Sequence, residues 1–338
     1  MKLRRAVFLV VFTALLPLFT IAWPAKVTAQ PKESLPVKFG FQANADWLFY
    51  TARRSGLFAQ AGLKAEFLQF ASGREMLAAL RSGDIDVATM SEVPFVVGVS
   101  QGLDLKLILT CIDISRNHGV VVRRDSGINS IKDLQGKRVS YTRGSGAHAS
   151  LAAALKQAEL TTKDSQLLDL PPSTAFLAFE KNEVQGVFTW QPWIERLVDS
   201  GGKVLAFDFD LGVTTMNPWI ARTEWVKQNP EAAKRLIGAA ELGRQQLEAD
   251  PVTGIREVAG VLKVSEAAAK RIYERDVLIS AKTQGDPSSR FSLVSPNGTA
   301  KLVTAKAALL KGAGVINKDL DGSALVDAEP LKAYLREK

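Results

Sequence analysis

The chain has 338 residues, of which 46% are hydrophobic and 23% are charged, and its formal net charge is +8. The apolar fraction excludes a disordered tail, and 25 glycines without a triplet repeat exclude collagen. A single cysteine, Cys111, excludes an intrachain disulfide, and with only His118 and His148 a multi-histidine metal site is not expected. The length favours about two domains with a sizeable core.

Residues 1–29 are predicted to form a secretory signal peptide. The basic segment Met1–Arg5 precedes an apolar run from Ala6 to Trp23, and Val27-Thr28-Ala29 offers a small-residue cleavage site. An uncleaved membrane anchor is the alternative, because the apolar run nearly reaches spanning length. The signal peptide carries four of the 43 basic residues and no acidic one, so its removal lowers the net charge from +8 to +4. We therefore expect a periplasmic or secreted protein with a mildly basic surface and no nucleic-acid partner.

Strand and helix patterns alternate along the rest of the chain. The predicted strands are 37–41, 63–70, 85–89, 105–111, 119–123, 137–141, 165–170, 186–189, 203–207, 218–221 and 277–280. The predicted helices are 45–54, 72–82, 95–101, 146–159, 173–181, 192–199, 230–248, 255–261 and 265–274. This order predicts an α/β protein with two units, largely parallel sheets and a helical tail that returns to the first unit. A ligand is expected between the units, at the carboxyl ends of strands.

Three groups of residues resemble one class of exported binding proteins. They are Arg54–Phe58 with Ala61–Leu63, Ser72-Gly73 with Ala79–Ala88, and Ser130–Val139. In order and spacing they are similar to the nitrate/sulfonate/taurine class of substrate-binding proteins of ABC transporters, whose relatives bind thiamine-precursor pyrimidines. The similarity extends roughly from Leu35 to Pro230.

The resemblance implies a type II periplasmic binding protein fold, with two α/β lobes, a hinge of two crossovers and a helical C-terminal tail. We place the crossovers near Gly119 and Trp219. Lobe 1 would then comprise residues 30–118 and 220–338, and lobe 2 residues 119–219.

The segment Gly144–Ala149 lies between a predicted strand and a predicted helix. It matches a dinucleotide fingerprint, with Asp169 near the position of a ribose-binding acid. Two other interpretations are an anion site at a helix N-terminus, where small residues let a ligand approach backbone N–H groups, and a simple tight turn. Export argues against a nicotinamide cofactor, and we expect no cofactor and no metal.

Ser72 and Glu75 have the spacing of a capping box at a helix start, which is compatible with anion binding at the same place. Polar and aromatic residues follow other predicted strands. Asp46 and Glu92 are interpreted either as acceptors of a ligand amine or as solvated rim charges, and Trp47 either as a ligand wall or as core. The candidate ligand-binding residues are Gln42, Asn44, Asp46, Trp47, Ser72, Gly73, Ser91, Glu92, Gly144, Ser145, Gly146, His148 and Trp190.

We therefore expect a binding protein that captures a small anionic or zwitterionic ligand and delivers it to an ABC permease, as a monomer and without catalysis. One alternative is a neutral aromatic or pyrimidine ligand. Another is an enzyme, such as a Rossmann-like oxidoreductase that uses Gly144-Ser145-Gly146. A receptor for a different transporter or a sensor is a third. Cys111 ends an apolar strand and is predicted to be a buried, inert thiol.

Overall fold

A computed structural model describes residues 34–338, so the predicted signal peptide lies outside the described residues. The strands are β1 (Leu35–Gln42), β2 (Leu63–Phe70), β3 (Val87–Thr89), β4 (Leu105–Asp113), β5 (His118–Arg123), β6 (Arg138–Tyr141), β7 (Gln166–Asp169), β8 (Gly186–Trp190), β9 (Gly202–Phe207), β10 (Met216–Arg222) and β11 (Val277–Leu278). They form two sheets, with the orders β11-β4-β10-β3-β1-β2 and β7-β6-β8-β5-β9.

Both sheets are mixed rather than largely parallel. In the first sheet β1 is parallel to β2 and β3, whereas β10 is antiparallel to β3 and β4. In the second sheet β6 is parallel to β7 and β8, whereas β5 is antiparallel to β8 and β9. Strands β5 and β10 are each the first strand that the chain forms after it passes from one sheet to the other. No crossover helix therefore sets their direction.

The helices are α1 (Trp47–Arg54), α2 (Leu57–Gln60), α3 (Gly73–Ser82), α4 (Glu92–Ser100), α5 (Gly146–Gln157), α6 (Pro172–Glu180), α7 (Trp193–Asp199), α8 (Thr223–Gln228), α9 (Pro230–Ala249), α10 (Pro251–Leu262), α11 (Glu266–Arg275), α12 (Ala281–Gly285), α13 (Lys301–Gly312) and α14 (Glu329–Leu335). Among the described residues, none of these helices combines the length and apolar character that crossing a bilayer requires.

An aromatic cluster builds the core of the first sheet. Phe39 of β1 stacks on Phe49 of α1 at 5.1 Å and meets Trp219 of β10 edge to face at 4.9 Å between ring centroids. All three rings are fully buried, and such pairs add about 0.5–1.5 kcal/mol each beyond the burial of their area. The cluster joins β1, α1 and β10, and so holds the end of β1 in a fixed position.

The chain passes twice between the sheets. It leaves β4 at Asp113 and enters β5 at His118, and it returns through residues 208–215 to β10. These passages lie slightly before Gly119 and Trp219, the residues near which we placed the crossovers, because β10 begins at Met216 and extends the first sheet. The tail returns to the first sheet as predicted, with α9 packed on α1 and β11 paired with β4.

Candidate functional site

A cavity lies where residues from both sheets meet. Residues of β1, α3, α4 and β10 line it from the first sheet, and residues of β5, α5 and β8 from the second. The lining is Gln42, Asn44, Ala45, Gly73, Ser91, Pro94, Ile114, Asn117, His118, Ser145, Gly146, Trp190, Gln191 and Asn217. None of these side chains is acidic, lysine or arginine, so polar recognition in this cavity depends on neutral groups.

Three helices begin at the cavity wall: α3 at Gly73, α4 directly after Ser91 and α5 at Gly146. The first N–H groups of a helix have no partner within the helix and carry a partial positive charge. The preceding serines, Ser72, Ser91 and Ser145, make no side-chain cap to these helices. The cavity therefore presents backbone donors suited to an anion.

The predicted capping box at Ser72 is wrong. Its hydroxyl makes no capping bond, and the Glu75 carboxylate instead accepts the N–H of Ala71 at 3.1 Å. The extended backbone of Ser72 allows Glu75 to reach one residue further back than the motif expects. Ser72 lies in a separate surface depression beside Arg74 and Asp169 and does not line the cavity.

Gly146 is required by a close approach. A Cβ at this position would lie 2.4 Å from His118 Cε1 and 2.6 Å from His118 Nδ1, distances that real Cβ atoms do not adopt. The same Cβ would lie 3.5 Å from Ser91 Oγ, across the cavity. The absence of a side chain lets the start of α5 approach both the imidazole and α4.

His118 and Trp190 form one wall of the cavity. Their rings stack with centroids 6.0 Å apart and an angle of 18° between planes. Burial, assisted by the charge of Lys306, lowers the pKa of His118 to about 3. The imidazole is therefore neutral at physiological pH, and the pair presents a flat face to a ligand.

Amide side chains from the first passage and from the residue after β8 complete the polar lining. Asn117 Nδ2 donates to Asp276 Oδ1 at 2.7 Å and to the carbonyl oxygen of Ile272 at 2.9 Å. Gln191 Nε2 donates to Asn117 Oδ1 and to Glu195 Oε1, each at 3.4 Å. These bonds hold both amides in place at the cavity.

Two predicted site residues are structural. Asp46 is fully buried, and its carboxylate caps α1 through the N–H of Phe49 at 3.2 Å. Trp47 is also fully buried; its indole N–H donates to Asp276 Oδ2 at 2.7 Å and its ring packs edge to face on Tyr273. The rim interpretation of Asp46 is therefore wrong, and neither side chain reaches the cavity.

Glu92 is likewise no rim charge. It is fully buried, forms an ion pair with Lys306 Nζ at 2.8 Å and accepts the N–H of Met216 at 2.9 Å. A carboxylate at the first position of α4 would repel an anion, and Lys306 compensates that charge. This geometry does not support the predicted role of Glu92 as a ligand contact.

Gly144 and His148 lie outside the cavity lining, and Gly144 lies beside Arg74 in a separate surface depression. The N–H of Gly144 donates to His148 Nδ1 at 3.2 Å, and the imidazole packs on Tyr141 with centroids 4.8 Å apart. Burial lowers the pKa of His148 to about 4. His148 thus stabilises the turn before α5 as a neutral acceptor.

The structure brings together seven of the predicted residues in the cavity: Gln42, Asn44, Gly73, Ser91, Ser145, Gly146 and Trp190. Sequence reasoning missed Ala45, Pro94, Ile114, Asn117, His118, Gln191 and Asn217. Gln191 directly follows Trp190, and Asn117 and His118 precede the predicted crossover. Their closeness to these predicted features could have indicated that they belong to the site. Asn217 was not predicted because the strand was expected to begin at residue 218, whereas β10 begins at Met216.

Cys111 is buried and free, as predicted, and burial raises the pKa of its thiol. It does not line the cavity. Among residues 34–338 no group of His, Cys, Asp and Glu side chains is arranged to hold a metal ion.

Known proteins with this architecture include binding proteins. The taurine-binding periplasmic protein of Escherichia coli (strain K12) is 24% identical over 280 residues, covering 81% of this chain and 86% of that protein. The structure of the alkanesulfonate-binding protein SsuA from Xanthomonas axonopodis pv. citri bound to MOPS superposes with a TM-score of 0.74 and 22% identity, covering 88% of this chain and 99% of that one. This likeness confirms the predicted periplasmic binding protein fold.

An enzyme is also among the relatives. The 4-amino-5-hydroxymethyl-2-methylpyrimidine phosphate synthase of Uromyces fabae is 24% identical over 216 residues, covering 60% of this chain and 63% of that protein. Residues 47–253 match the model of the family described as NMT1/THI5 like. Because that match spans more than half of the chain, the protein belongs to the NMT1/THI5 like family.

Proposed function

We propose that this protein is an exported solute-binding protein that captures a small organic sulfonate and delivers it to an ABC importer. The observation that carries the proposal is the cavity at which α3, α4 and α5 all begin, with uncapped N–H groups and no side-chain charge. The names of the relatives, a taurine-binding and an alkanesulfonate-binding protein, support it.

A sulfonate suits this cavity because its charge is spread over three oxygens that each accept hydrogen bonds. Backbone N–H groups at the three helix starts and the hydroxyl of Ser91 supply donors on different sides, whereas the Ser145 hydroxyl already donates to the carbonyl oxygen of Thr142 at 2.7 Å. Hydrogen bonds to an ionised acceptor contribute about 1.5–3 kcal/mol each. The flat face of Trp190, with Pro94 and Ile114, would contact the apolar part of the ligand.

Ligand entry requires movement. The cavity volume is about 30 Å³, room for one or two water molecules, which is too little for an organic sulfonate to enter without opening. We propose that the lobes built on the two sheets rotate about residues 114–117 and 208–215, and that a ligand contacting both stabilises the closed form. The closed monomer would then dock on a permease at the membrane, after export by the signal peptide.

We propose that the chain catalyses no reaction. The oxidoreductase alternative needs Gly144 and Gly146 to face one pyrophosphate site, but Gly144 does not line the cavity that Gly146 lines. A cysteine nucleophile is equally unsupported, since Cys111 is fully buried in β4 and its thiol pKa is raised.

Isothermal titration calorimetry of the purified protein tests the proposal. Ethanesulfonate is expected to bind, acetate and nitrate more weakly, and 4-amino-5-hydroxymethyl-2-methylpyrimidine not at all. Ser91→Ala should weaken ethanesulfonate binding, whereas the exposed Ser323→Ala should not. Binding of the pyrimidine together with failure of every sulfonate would contradict the proposal.

A further inference from the structure

Three buried polar atoms in the cavity have no partner: His118 Nδ1 and two amide oxygens. Gln42 Oε1 and Asn44 Oδ1 make no hydrogen bond to any described residue, although the two residues are only 8% and 7% exposed. Gln42 ends β1 and Asn44 follows it, and both line the cavity, whereas the starts of α4 and α5 supply donors. An unsatisfied buried acceptor is costly, so such atoms mark a place where a ligand donor is expected.

A hydrogen-bond chain sets the orientation of the Asn44 amide. Asp46 accepts from the Phe49 N–H and the Trp219 indole N–H, groups that can only donate. The Thr89 hydroxyl also donates to Asp46, which leaves its lone pair to accept Asn217 Nδ2 at 3.0 Å.

The last link of that chain runs from Asn217 to the cavity. Asn217 Oδ1 accepts Asn44 Nδ2 at 3.5 Å, and the remaining atom of that amide, Asn44 Oδ1, is the unpartnered acceptor. Each hydrogen bond in this series is donated in the direction of the buried carboxylate of Asp46. This carboxylate therefore acts on the cavity through Thr89 and Asn217 without touching it.

The donor that fits here is uncharged. No acidic side chain lines the cavity among the described residues, and Asp46 is already occupied by donors. A buried ammonium without a carboxylate partner pays a large desolvation cost, whereas a hydroxyl or amide N–H needs only an acceptor.

We infer that the ligand carries a neutral hydrogen-bond donor at the end away from its sulfonate, received by Asn44 Oδ1, and that Asp46 is a positioning residue that presents this oxygen to it. The inference rests on the proposed function and specifies its ligand class. It favours a hydroxysulfonate over both a plain alkanesulfonate and an aminosulfonate.

Calorimetry with three sulfonates of equal chain length tests it: ethanesulfonate, 2-hydroxyethanesulfonate and taurine. The hydroxysulfonate should bind roughly tenfold more tightly than ethanesulfonate, the effect of one satisfied buried acceptor, and more tightly than taurine. Equal binding of ethanesulfonate, or tightest binding of taurine, would overturn the inference while leaving the proposed function intact. Failure of all three to bind would overturn both.

The ratio of the hydroxysulfonate and ethanesulfonate affinities separates positioning from structural damage. Asn44→Leu removes the acceptor, and Asp46→Asn lets the chain of bonds reverse, so each should bring the ratio close to one. Ser91→Ala, at the start of α4 and outside this series of hydrogen bonds, should weaken both ligands and keep the ratio. Thr89→Val interrupts the same chain and replaces Asp46→Asn if that variant does not fold. An unchanged ratio in Asn44→Leu and in the variant that interrupts the hydrogen bonds to Asp46, either Asp46→Asn or Thr89→Val, would overturn the inference.

Discussion

The buried carboxylate of Asp208 should make the protein less stable as the pH rises through the weakly acidic range. Asp208 begins the return passage to β10, is fully buried, and accepts the Thr215 hydroxyl at 2.5 Å. Burial raises its pKa to about 6, against a smaller opposing effect of Lys306. In the unfolded chain its pKa is the ordinary 3.8.

The direction of the pH effect on stability follows from the number of protons bound in the folded and unfolded states. Between pH 4 and pH 6 the folded protein keeps a proton on Asp208 that the unfolded chain has lost, so stability falls as pH rises and levels off above pH 6. Each pH unit corresponds to about 1.4 kcal/mol per proton. Over roughly two units the effect reaches about 3 kcal/mol at most. Asp208→Asn, which keeps an acceptor for Thr215, should remove this loss.

Urea unfolding of both proteins at pH 4.5, 5.5 and 7 measures the effect. The variant should gain about 1–2 kcal/mol relative to the parent between the first and last pH. The exposed Asp286→Asn serves as a control, because hydrogen bonds from Ser288 lower the pKa of that carboxylate and place its titration below this range. A constant difference between Asp208→Asn and the parent would refute the reasoning, since it would mean that the carboxylate keeps its ordinary pKa.

Three further substitutions test the cavity and its surroundings. Gly146→Ala should weaken ethanesulfonate binding at least tenfold in calorimetry, because its Cβ would displace the His118 imidazole; unchanged affinity would contradict the close approach. Trp190→Ala should weaken binding by about 1 kcal/mol, whereas Trp193→Ala, outside the cavity lining, should not. Glu195→Gln should lower the free energy of unfolding in urea by about 2 kcal/mol. This is less than the loss expected for a fully buried ion pair, because the two α11 arginines that contact Glu195 are partly exposed. An unchanged unfolding midpoint would show that these ion pairs are not stabilising.

The backbone donors of the site could be predicted because they depend on local pattern. Gly73, Ser91 and Gly146 each lie at a junction from a strand to a helix, and the period of apolar residues changes there within a few positions. At such a junction the N–H groups point beyond the carboxyl end of the sheet whatever the rest of the chain does.

The acidic residues could not be assigned in the same way. Asp46 and Glu92 also follow strands, yet one caps α1 and the other pairs with Lys306, more than two hundred residues later in the chain. Whether a carboxylate faces a ligand or the interior depends on which distant cation or donor the fold brings to it. Composition and spacing contain no information on that choice.

The same distinction separates the two ends of the proposed ligand. Its anionic end meets helix starts, which any chain with this order of elements would present. Its other end meets Asn44, whose orientation depends on Thr89, Asn217 and Asp46, residues from three separate elements of the first sheet and its connections. A change at any one of them would alter the presented atom without altering the fold. Selectivity among sulfonates is therefore expected to change more readily than sulfonate binding itself.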